Sequence, residues 1–169
     1  KLIRSILESS QNELVPLVKD IEALQLYVDL EQLRFNNKFS YQAKVDPELV
    51  NGDYQVPSLL IQPYVENAIV HGLAHSEKTG LNLSVTAMLE GGYIKYTMQD
   101  NGIGRKKADE YNRYNKPQHK SVGLKITEDR IMMFNQAMGI TGHPPVITDL
   151  WDDNGNPAGT KVEVKIKAA

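Results

Sequence analysis

The stretch Asp100-Asn101-Gly102-Ile103-Gly104 constrains the fold more than any other part of this 169-residue chain. It follows an alternating apolar run, which puts the Asp100 carboxylate at a strand end. The two glycines then let the backbone come close to a flat ligand. Upstream, Asn67 in Glu66-Asn67-Ala68 offers a neutral oxygen to a hard metal ion such as Mg²⁺. Downstream lies Gly159-Thr160. Together these pieces suggest an ATP–Mg²⁺ pocket that is not a P-loop.

The length fits one domain, with room for a short helical extension. A formal charge of −2 gives no nucleic-acid or membrane footprint. With zero cysteines there is neither a disulfide framework nor a thiolate metal site, and a cytosolic setting suits the chain. No apolar run approaches the roughly 18 residues needed to span a bilayer, and no signal peptide is visible. Lys1 in place of Met suggests a piece of a longer protein.

From Val15 to about Phe35, Leu17, Ile21, Leu24, Val28 and Phe35 recur at helical spacing, with Lys19, Asp20, Glu22 and Glu31 mostly on other faces. Phe39, Tyr41, Ala43 and Val45 alternate as a strand ended by Asp46-Pro47, and Asn51-Gly52-Asp53 reads as a turn. Pro57 opens a second helical stretch running to Gly72 as its cap, with the compact helix beginning near Pro63. Leu81 to Leu89 and Ile94 to Met98 form a hairpin around Glu90-Gly91-Gly92. Residues 105–120 are polar and basic and read as a mobile segment with one short helix at Lys106–Tyr114. Leu124, Ile131, Phe134 and Met138 mark another amphipathic helix closed by Gly139. Two strands follow, around Val146, Ile147 and Leu150 and around Val162, Val164 and Ile166, separated by the loop 152–157. The class is α+β, one sheet with helices packed on one face.

Each candidate site residue also has a plainer reading. Tyr64, Asn67 and His71 share one helix face; that stripe is either a wet helix edge or a carboxamide for Mg²⁺ with His71 near phosphate. Asp100 caps a turn, or its carboxylate accepts a hydrogen bond from an exocyclic amine such as that of adenine. Ser121 and Gly123 precede a helix whose N-terminus is a ready phosphate site, although many helices start this way. Arg105, Lys106, Lys107, Arg113, Lys116, His119 and Lys120 are solvated surface, or they close over a triphosphate as a lid. Gly159-Thr160 is a turn, or its hydroxyl bonds the base directly or through water. His71 and His75 lack the partners of a zinc site.

The order of these pieces resembles the GHKL ATPase/kinase superfamily, and more closely the LytS/YehU-type sensor histidine kinases of bacteria. Residues 56–72, Val-Pro-Ser-Leu-Leu-Ile-Gln-Pro-Tyr-Val-Glu-Asn-Ala-Ile-Val-His-Gly, resemble that family's N box. Asp100 to Gly104 is similar to its first glycine box, Ser121-Val122-Gly123-Leu124 to its second, and Gly159-Thr160 to its last. Residues 17–35 resemble its linker helix. The resemblance implies a Bergerat-type two-layer α/β sandwich, its mixed, mainly antiparallel sheet preceded by an N-terminal linker helix. Residues 1–36 would be the linker and the end of the dimerisation helices, and 37–169 the ATP-binding catalytic domain.

By the same resemblance, Asn67 would bind Mg²⁺ and Asp100 would read the adenine amine. Gly102 and Gly104 would admit the nucleotide, Gly123 with Leu124 would border the lid and phosphates, and Thr160 would back the base. Where relatives often carry Lys three residues after the metal Asn, this chain has Val70, so His71 or a lid lysine such as Lys120 would serve the phosphates. Ser121 replaces a glycine. Pro63 stands where hydrolysing relatives carry a glutamate base, which favours phosphoryl transfer to a protein side chain over hydrolysis. The family's acceptor histidine follows a proline and precedes a phenylalanine, a context absent here. It would then lie upstream of Lys1.

The implied function is a histidine kinase catalytic domain that phosphorylates a histidine on an upstream dimerisation helix for relay to a response regulator. The full-length protein would be a homodimer anchored in the bacterial inner membrane, with this domain cytoplasmic. The alternative is an ATP-binding regulatory module without phosphotransfer.

Overall fold

Chain entry is set by Pro16, whose extended backbone (φ −56°, ψ 132°) ends strand β1 (Leu14–Pro16) and starts helix α1 (Leu17–Arg34). The fold is that of a computed structural model, which describes residues 13–115 and 122–169. Helix α1 buries Leu17, Asp20, Leu24 and Val28, so Asp20 lies on the core face rather than a polar one. Asn36 and Asn37 both adopt left-handed backbone (φ 54° and 55°), a conformation Asn tolerates, and reverse the chain into β2 (Phe39–Val45).

After β2, the Asp46 carboxylate accepts the Glu48 N–H at 3.1 Å and Pro47 occupies the first turn. This capped, proline-started pattern forms a short helix, α2 (Pro47–Asn51), where the sequence suggested only a strand end at Asp46-Pro47 and a turn at Asn51-Gly52-Asp53. Strand β3 (Gln55–Pro57) pairs antiparallel with β1.

The expected helix from Pro57 is not there. Leu59 is left-handed (φ 55°), and α3 runs only from Gln62 to Asn67. The Asp20 carboxylate, 39 residues earlier, accepts the Leu59 N–H at 2.9 Å, while Arg130 donates to the Ser58 carbonyl at 3.1 Å. Distant side chains therefore hold residues 58–59 out of helical geometry. Pro63 falls in the first turn of α3, where its missing N–H costs nothing.

From Ala68 to Leu73 the helix widens to a π-turn, with the Ala74 N–H bonded to the Ile69 carbonyl at 2.8 Å. Gly72 lies inside this turn rather than capping it. Strands β4 (Leu81–Glu90) and β5 (Tyr93–Asp100) form the expected hairpin, with Gly91 and Gly92 both at positive φ. Helix α4 runs from Gly104 to Asn115 and α5 from Val122 to Ala137. Strands β6 (Val146–Trp151) and β7 (Pro157–Lys167) finish the chain.

The five-stranded sheet has the order β2-β4-β5-β7-β6; the β2–β4 pair is parallel and the others antiparallel. Alternate residues of one sheet face, including Leu83, Val85, Ile94, Tyr96, Met98, Val164 and Ile166, are buried. Against them pack Leu24 and Val28 of α1, Val65 and Ile69 of the α3–π segment and Ile131 of α5, in one core. The expected α+β class, with helices on one face of a mixed sheet, is what forms. Among the described residues, no helix is long and apolar enough to cross a membrane.

Candidate functional site

β5 ends where β4 and β7 flank it, so Asp100 sits opposite Leu83 on one side and Thr160 on the other. Only 4% of Asp100 is exposed, and its carboxylate accepts the Gly102 N–H at 2.9 Å. Burial pushes its pKa up to about 6, against the N–H groups of Gly102 and Thr160, which favour the charged form. Asp100 thus lines a cleft as a buried hydrogen-bond acceptor.

Three glycines make room for it. A Cβ on Gly72 would come within 3.0 Å of the Asp100 Oδ1 atom, and one on Gly102 would collide with the Gly72 carbonyl. A Cβ on Gly159 (φ 122°) would strike the Asp100 carbonyl. The Gly72 carbonyl also accepts the Ile103 N–H at 3.1 Å, tying the π-turn to the loop after Asp100. Asn101 fastens the other side: its carboxamide accepts from Asn82 N–H at 2.7 Å and donates to the Gly80 carbonyl at 3.0 Å.

Above Asp100 opens a cleft lined by Tyr64, Asn67, Ala68, His71 and Gly72 of the α3–π segment and by Gly104, Arg105 and Ala108 of α4. Leu124 of α5, Ile147 of β6, and Thr160 and Val162 of β7 complete it. Of the residues singled out from sequence, Asn67, His71, Asp100, Gly104, Leu124 and Thr160 therefore share one cavity. Gly102 lies beneath it as a hydrogen-bond donor to Asp100. Gly123 does not line the cleft; it is exposed in the first turn of α5, where its carbonyl accepts the Thr127 hydroxyl at 3.0 Å. Lys120, with Lys116, His119 and Ser121, lies outside the described residues. Glu66 is exposed and Val70 half-buried, and neither borders the cleft.

Sequence reasoning did not name Ala108, Ile147 or Val162 as site residues, and it gave Tyr64 and Arg105 other settings. Tyr64, expected on a polar stripe, is buried, and burial raises its hydroxyl pKa to about 12. Helix α4 begins at Gly104, so Arg105 and Ala108 face the cleft one turn apart. The Arg105 guanidinium donates through Nε and Nη2 to the two Asp149 oxygens at 2.8 and 3.0 Å. That pairing raises the guanidinium pKa and lowers that of the Asp149 carboxyl. One turn beyond Ala108, the Tyr111 ring lies 4.0 Å from the His75 ring, centroid to centroid. Burial, and then the Lys38 charge, hold the His75 imidazole below its ordinary pKa.

A buried acceptor beside an asparagine and a histidine, with glycines against the floor, can orient a flat donor-bearing ring and present a polyanion to Asn67 and His71. Among the described residues, no group of three His, Asp or Glu side chains could hold a metal ion alone. Asn67, which borders the cleft, offers a neutral carboxamide oxygen of the kind a hard cation takes.

No protein-family model matches the chain. It is 35% identical to the sensor protein LytS of Oceanobacillus iheyensis over 104 residues, 62% of this chain and 17% of that protein. Over the same length it is 31% identical to the sensor histidine kinase YpdA of Escherichia coli, covering 18% of it. Its homologues are sensor histidine kinases of the LytS/YpdA type. The matched segment spans less than a fifth of these relatives. Among solved structures, the mycobacterial sensor histidine kinase MprB superposes with a TM-score of 0.57 at 15% identity, covering 93% of this chain and 97% of that one. A complex of the histidine kinase ThkA with the response regulator TrrA gives 0.56 at 15% identity, covering 99% and 46%. The fold is that of a histidine kinase catalytic domain.

Proposed function

We propose that the chain binds ATP with Mg²⁺ in this cleft and, within a longer protein, donates the γ-phosphoryl group to a histidine on a dimerisation helix. The observation that carries this reading is the buried Asp100 carboxylate facing a cleft shared with Asn67, His71 and Thr160. Asp100 accepts a hydrogen bond from the adenine amine, Thr160 backs the base, and Asn67 and His71 meet the phosphates. Gly104 admits the nucleotide and Leu124 packs on it. Mg²⁺, when bound, neutralises the charge of the phosphate chain. An imidazole nitrogen of the acceptor attacks the γ-phosphorus, the bond to the β,γ-bridging oxygen breaks, and ADP leaves with that electron pair. The phosphoryl group then passes to an aspartate on a response regulator.

Residues 1–36 are read as linker and dimerisation helix and 37–169 as the catalytic domain. Supporting this, Leu26, Leu30 and Leu33 lie 65–69% exposed at helical spacing on the outer side of α1, an unburied apolar stripe. The full-length protein is a homodimer anchored in the inner membrane, with this domain on the cytoplasmic side.

Calorimetric titration with a non-hydrolysable ATP analogue, with and without Mg²⁺, tests the cleft. Asn67→Ala should lose the Mg²⁺-dependent part of the affinity and keep the rest; unchanged binding would refute the metal role. Mixing the chain with a histidine-bearing dimerisation helix in the presence of ATP and Mg²⁺ should give acid-labile, base-stable phosphate on that helix. Nucleotide binding without that product would favour a regulatory module, a reading that Val70, away from the cleft, keeps in play.

A further inference from the structure

Asp100, Thr160 and Asp149 lie in register across β5, β7 and β6. One step along, Met98, Val162 and Ile147 form a parallel apolar row on the same helix-covered face. Neighbouring strands are ~4.8 Å apart, so the polar row spans roughly 10 Å from Asp100 to Asp149. A fused ring with its amine edge at Asp100 would lie along that row, over Val162 and Ile147. Arg105 borders the same cleft from α4, above the far end of the row.

The orientation of Arg105 decides what it can do. An arginine that grips phosphate uses the fork of its N–H groups. Here two of those groups are spent on both oxygens of Asp149. Three N–H groups remain on Nη1 and Nη2, but the paired bonds fix the guanidinium plane, and its flat faces are what it presents to a ring lying along the row. Flat guanidinium faces stack on aromatic rings, which a lysine cannot imitate. The pair is also nearly half-exposed, 47% and 41%, a setting in which ion pairs add little to fold stability.

We infer that Arg105 is a specificity residue that stacks on the base of the bound nucleotide, with Asp149 as the positioning residue that holds its plane. The inference rests on the nucleotide reading of the cleft and adds that the ligand's recognised part is a flat, electron-rich base gripped on its face as well as its edge.

Titration of the 169-residue chain with AMP, ADP and a non-hydrolysable ATP analogue tests it. Arg105→Ala should weaken all three by the same factor, about five- to tenfold. Arg105→Lys should not restore the loss, and Asp149→Asn should give a smaller loss of the same uniform pattern. A penalty that grows with phosphate number, or full rescue by lysine, would show a phosphate contact and overturn the stacking role. Unchanged affinity in Arg105→Ala would leave only a surface ion pair and overturn it equally. Asp100→Asn is the control: if it too leaves binding unchanged, or the wild type binds none of the three, the nucleotide reading itself has failed, and this inference with it.

Discussion

The floor of the cleft and its cover are built by different means. The floor is backbone against backbone. Asp100 is fixed by the β5–β7 pairing and by the Gly102 N–H, and Gly72, Gly102 and Gly159 stand where a side chain would collide. The cover, helix α4, is joined through side chains: the Arg105–Asp149 pair, the His75–Tyr111 ring contact and the small buried Ala108. The side chains of Lys106, Lys107, Asp109 and Glu110 on α4 are exposed. On the proposed reading, a floor of this kind would receive a ring without rearranging, whereas a cover with few buried apolar contacts opens at low cost. Recognition is thus separated from access.

That contrast breaks most severely at Gly159. Gly159→Ala puts a methyl group into the Asp100 carbonyl at a φ of 122°, a region that residues with a Cβ avoid. A loss of about 2–4 kcal/mol of stability is expected in urea unfolding, together with loss of ligand binding. An unchanged midpoint would mean that the floor yields far more than its packing suggests.

Next in size is Asp100→Asn, which leaves the fold intact but replaces the charged acceptor. Affinity for the ATP analogue should fall on the order of tenfold to a hundredfold, the range of one hydrogen bond to a charged group. The substitution also has a signature without ligand. Because the folded pKa of Asp100 is raised to about 6 from an ordinary 3.8, the native state holds its proton more tightly than the unfolded chain. That contribution is complete below pH 4 and is lost as pH rises through 6, by on the order of 2–3 kcal/mol. Urea unfolding of the wild type between pH 4 and 7 should show this decline, and Asp100→Asn should remove it.

The floor was the legible part. The alternation of Leu81 to Leu89 and Ile94 to Met98 places Asp100 at a strand end, and Asp-Asn-Gly-Ile-Gly then reads as a turn that admits a ligand. What escaped the sequence depends on partners far along the chain. Leu59 is left-handed because of Asp20, and Arg105 is held flat by Asp149, 44 residues away. The β1–β3 pair has three residues per strand, too short for any period to show. Helix α4 carries so little apolar sequence that the pattern underestimates its extent, and with it the cleft-facing position of Ala108; Arg105 reads only as a surface or lid charge, not as the partner of Asp149. Local pattern fixes the elements that bury a face; it says little about segments held by single long-range bonds.

The mildest change should fall on the cover. His75→Ala removes the ring that faces Tyr111 at 4.0 Å, and neither residue belongs to the buried core. Aromatic pairs of this kind contribute about 0.5–1.5 kcal/mol beyond burial, and a half-exposed pair sits at the low end. Global stability should therefore shift by less than about 1 kcal/mol, with the floor untouched. The effect belongs elsewhere: amide exchange across 104–115 should quicken, while that of β5 and β7 stays as it was. Equal acceleration in α4 and in the strands would mean that floor and cover open as one unit, and the separation of recognition from access would not hold.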